Sequence, residues 1–71
     1  MASKTPVNKR WYLDAAEQND RIALERRNLA KQLYDLGLSI KAQTCLLQAQ
    51  ALELQAAAYR AQAAAMGENL K

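Results

Sequence analysis

The hydrophobic positions of this chain fall into two long helical patterns divided by a single glycine. From about Asn8 to Leu36 there is no Gly or Pro, and the strong helix formers Ala, Leu, Glu, Gln, Lys and Arg dominate. Ahead of that stretch, Thr5-Pro6 offers a helix start, with Thr5 or Asn8 as the N-cap and Pro6 as a tolerated first-turn residue. Gly37 suits the left-handed cap that ends a helix and Ser39 the cap that begins one, so Gly37-Leu38-Ser39 is a compact reversal. A second helix is predicted from about Ile40 to Met66, stopped by Gly67. A loop this short makes the two helices antiparallel neighbours. The predicted fold is therefore all-α: an antiparallel two-helix hairpin over 8–66, dimerising into a four-helix bundle. It comprises helix 1 at about 8–36, a turn at 37–39 and helix 2 at about 40–66, between a flexible basic arm at 1–7 and a frayed tail at 67–71.

Within helix 1, spacings of four and three trace a seam through Trp11, Ala15, Gln18, Ile22, Glu25, Leu29, Leu33 and Leu36. Beside it runs a column of small residues, Ala16, Ala23 and Ala30, with Tyr12 and Tyr34 on the same side. Helix 2 repeats the spacing without a break through Ala42, Cys45, Ala49, Leu52, Ala56, Tyr59, Ala63 and Met66. The two lines together are the predicted hairpin seam, with large side chains over the opposing alanines. Helix 2 also has a second apolar stripe, about 200° around at ~100° per residue. Ile40, Leu47, Leu54 and Ala61 form it, flanked by Ala51, Ala58 and Ala65. One hairpin covers only one stripe, so Ile40, Leu47, Ala51, Leu54, Ala58 and Ala61 are the expected interface with a second copy or another protein.

Composition narrows the function by exclusion. With 71 residues, a hairpin buries too small a share of its surface to fold comfortably alone. Cys45 is the one cysteine, so no internal disulfide compensates, and an unpaired thiol fits a reducing cytoplasm. Histidine is absent, and with one thiol the chain cannot assemble a zinc site or a Ser/His or Cys/His nucleophile pair. No enzyme activity, metal or cofactor is expected. The N-terminus lacks the apolar stretch of a signal core, and the longest uncharged run, Ala42 to Leu52, is interrupted by glutamines; the expectation is a cytoplasmic protein with no membrane partner.

Net charge is +3 and lies wholly in the N-terminal half, where residues 1–31 carry seven basic side chains against four acidic ones. Lys4, Lys9, Arg10, Arg26, Arg27 and Lys31 are the candidate nucleic-acid contacts, with Trp11 and Tyr12 placed to stack on bases. Acidic residues interleave with them, and Glu17–Arg21 and Lys31–Asp35 are spaced as i to i+4 pairs. The basic side chains also spread over opposite flanks of helix 1, which argues for ordinary solvated faces.

Leu33-Tyr34-Asp35-Leu36-Gly37, followed by Ala42, Leu46 and Ala49, resembles the turn of a tetratricopeptide unit in its Gly, Ala, large, Ala spacing. The likeness covers about a third of the chain. Both helices are too long for that family and no second repeat follows, so the resemblance implies a tight helical hairpin and not a peptide-binding solenoid. The sequence thus predicts a small cytoplasmic regulator or adaptor of phage or plasmid type, self-associating as a homodimer and binding a protein partner through its helices. A nucleic-acid-binding regulator using the arm and helix 1, and a structural or assembly subunit, are the alternatives.

Overall fold

The computed structural model describes residues 8–67 and consists there of two helices, α1 (Lys9–Asp35) and α2 (Ser39–Gly67), folded back on each other. The candidate cap Thr5, the first-turn residue Pro6, the rest of the basic arm at 1–7 and the last four residues of the tail lie outside the described residues. Asn8 is extended and caps α1: its Oδ1 accepts from the backbone N–H of Trp11 at 2.9 Å. At the other end the Leu38 N–H donates to the Leu33 carbonyl and the Gly37 N–H to that of Tyr34, the paired bonds of a Schellman turn. That turn needs a left-handed residue, and Gly37 supplies it at φ 80°. Ser39 is the first helical residue and not the cap assigned to it, because the Leu38 carbonyl already accepts from Ala42.

The fully buried positions of the helix contact are all small side chains. The buried residues are Ala16, Ala23 and Ala30 on α1, and Ala42, Cys45, Ala49, Ala56 and Ala63 on α2. No large side chain is fully buried among the described residues. Ala30 clusters with Ala42 and Cys45 beside the turn, and farther out Ala16 and Ala23 of α1 and Ala49, Ala56 and Ala63 of α2 are all covered, so the centre of the contact is lined by small residues from both helices. Leu33 and Leu46 pack against the Ala30, Ala42 and Cys45 cluster near the turn.

This corrects the seam expected on α1. Trp11, Leu29 and Leu36 are exposed, Leu36 to 72%, while the column thought to flank the seam is its centre. Polar pairing along the edges accompanies this rotation. Arg27 reaches Glu53, Arg60 reaches Asp20, and the Asn19 amide donates to Gln55 Oε1 at 2.9 Å. Turning α1 by about 110°, at roughly 100° per residue, to bring Ile22 and Leu29 inward would break all three. On α2, Ala42, Cys45, Ala49, Ala56 and Ala63 are buried and Leu52, Tyr59 and Met66 half-buried. Two helices side by side make the described residues a layer one helix thick.

Candidate functional site

Because α1 covers the alanine column of α2, the other apolar stripe of α2 faces away from the hairpin. Ile40 is 78% exposed, Leu47 65% and Leu54 73%, and Ala51, Ala58 and Ala61 are exposed beside them. The expected interface residues therefore share one open strip. Thr44 belongs to it, its hydroxyl donating to the Ile40 carbonyl at 3.2 Å instead of competing for a partner.

The strip is also uncharged. Within α2 the charged residues are Lys41, Glu53 and Arg60, and the last two point to α1. Arg27 Nε and Nη2 donate to the two carboxylate oxygens of Glu53 at 2.8 and 2.6 Å, a bidentate pair. Those hydrogen bonds hold the Glu53 carboxyl below its ordinary value, and hydrogen bonding to Glu53 raises the Arg27 guanidinium above its own. Arg60 bonds to the Asp20 carboxylate across the same edge. On the far side of α1, by contrast, Asp14, Arg21, Glu25 and Gln32 are all exposed. The outer face of one helix is built for water, and that of the other is not.

A second apolar region lies along one flank. Trp11, Tyr12 and Tyr59 cluster where the N-terminus of α1 meets the C-terminal part of α2. Trp11 meets Tyr12 and Tyr59 nearly edge-on, at centroid distances of 5.2 and 5.7 Å. Trp11 packs here while remaining 45% exposed, so it is neither a core plug nor a free anchor. A shallow groove lined by Ile22, Arg26, Gln48, Ala51 and Leu52 follows the flank and joins the open strip at Ala51. Exposed Leu24 and Leu13 sit on the opposite flank of α1; neither belonged to any seven-residue pattern, so no periodic signal marked them.

The candidate nucleic-acid residues do not converge. Lys4 lies outside the described residues, Lys9 and Lys31 are exposed, and Arg26 borders the groove. Arg10 pairs with Asp14 at 3.5 Å, Arg21 with Glu17 at 3.5 Å, and Arg27 with Glu53. Lys31–Asp35 is not among the ion pairs of the described residues. Cys45 is a buried thiol in the seam. Among the described residues no cluster of three His, Cys, Asp or Glu side chains is placed to hold a metal, and no helix is long and apolar enough to cross a membrane. Comparison with protein-family models, with curated proteins and with solved structures finds no match to this chain.

Proposed function

We propose that the chain is a small, non-enzymatic regulator or adaptor that works by helix-mediated protein binding through the outer face of α2. The observation that carries this reading is the exposure of Ile40, Leu47 and Leu54 on a helix face without charge, above a core of alanines. A core of small side chains stabilises the hairpin weakly, since each buried methyl or methylene contributes only about 0.8 kcal/mol. Covering the open strip adds the large side chains that the hairpin itself leaves in water. Two copies forming a four-helix assembly, or one hairpin completing a bundle on another protein, would both do so. Size and the absence of catalytic groups fit a cytoplasmic product of a phage or plasmid.

Immobilised full-length chain should retain a protein after nuclease treatment, and Leu47→Asp or Leu54→Asp should abolish retention while Lys9→Ala with Arg10→Ala should not. Binding to DNA or RNA that falls steeply with salt and is lost in the Lys9 and Arg10 variant would instead establish a nucleic-acid regulator. Growth with concentration beyond a dimer would mark an assembly subunit.

A further inference from the structure

We infer that the outer face of α2 is covered by the same face of a second copy, antiparallel, about a two-fold axis at the Leu52–Glu53 peptide. This names the occupant of the strip and rests on reading that strip as a binding surface. In that register Ile40 lies opposite Ala65, Leu47 opposite Ala58, Leu54 opposite Ala51, and Thr44 opposite Ala61. Every large side chain of the strip meets a small one, and the two-fold repeats each match. A parallel, in-register pair would instead set leucine on leucine and alanine on alanine, crowding one layer and leaving the next with a gap.

Charge and area select the same arrangement. Along one edge Gln48 meets Gln55 and Lys41 meets Gln62, and along the other Gln43 and Gln50 meet Ala64 and Ala57, so no like charges oppose each other. The charged outer face of α1 stays in water on both outer sides. α2 has 29 residues and is about 43 Å long. A strip one helix wide, about 10–12 Å, then offers roughly 450 Å² of projected surface per copy. Two such strips give about 900 Å² of projected surface at full overlap, close to the roughly 1,000 Å² of a small specific interface, so the pair can leave little of either strip uncovered. The axis at Leu52–Glu53 lies beside the midpoint of Ser39–Gly67, which makes the overlap close to complete.

The test uses the full chain carrying Cys45→Ala, with Leu47→Cys or Ala58→Cys added singly. In the proposed register each introduced thiol is about 16 Å along the axis from its own copy, at about 1.5 Å per residue. That is beyond the roughly 7 Å between Cα atoms that a disulfide spans. Under oxidised glutathione, mixing the two variants should give at least ten-fold more covalent dimer than either alone, and sedimentation of the unaltered chain should show a dimer. Disulfide from the Leu47→Cys variant alone would overturn the inference in favour of a parallel pair. Absence of mixed disulfide overturns it too, whatever mass sedimentation gives. Leu54-dependent capture of another protein by a monomeric chain would then leave the broader reading standing, whereas loss of capture as well would remove both.

Discussion

Ala49 and Ala56 have no accessible surface, so any atom beyond Cβ must enter the facing helix. Ala49→Leu with Ala56→Leu should lower the thermal midpoint, each substitution costing about 1–3 kcal/mol by overpacking a close seam. A melt followed by circular dichroism checks this, and a raised midpoint would mean that these alanines do not face a helix. Gly37 behaves differently. A Cβ added there meets nothing within 4 Å, and the penalty is the left-handed backbone alone. Gly37→Ala should therefore cost about 1–2 kcal/mol and leave the helical content unchanged. These residues were legible from their spacing and type. Trp11, Leu29 and Leu36 were misplaced because they share a perfect seam spacing with Ile22, and size alone assigned that line to the core.

At the scale of the helix, the limits of each element follow from chemistry written locally in the chain: the Asn8 side chain, the glycine at Gly37 and the uninterrupted helix formers between. The rotation of α1 about its axis is not local information. That helix carries an alanine column and a leucine-bearing column about 110° apart at roughly 100° per residue, and either is a sensible contact face. The structure buries the alanine column and sets polar pairs along its edges, and a partner 26 residues away, such as Glu53 for Arg27, leaves no periodic trace. That pair also gives a pH dependence. Arg27 holds the Glu53 carboxyl below its ordinary value near 4.5, so the folded hairpin binds fewer protons than the unfolded chain in acid. The stabilisation is present above that ordinary value and is lost as pH falls through the lower, folded one. Denaturant titrations at pH 7 and pH 3 should show a loss of stability in acid that shrinks in Glu53→Gln; an unchanged difference would rule the pair out as a contributor.

At the scale of the whole molecule, α2 is apolar on two sides and the hairpin covers one. That asymmetry was legible in the sequence, since Ile40, Leu47 and Leu54 repeat every seven residues on the far side from Ala42, Ala49 and Ala56. What lies against the second side was not, because a strip of this kind pairs with any helix of matching shape. If covering it supplies much of the stability, folding and association are one equilibrium, and the midpoint must depend on concentration. Leu54→Asp should then dissociate the assembly and unfold the chain together. The most direct measurement is a thermal melt of the unaltered chain over a hundred-fold range of concentration, with its mass determined by sedimentation. The account predicts a midpoint that rises with concentration and a species heavier than the 7.9 kDa chain, both abolished by Leu54→Asp. A fully helical 7.9 kDa species melting at one fixed temperature throughout would contradict it.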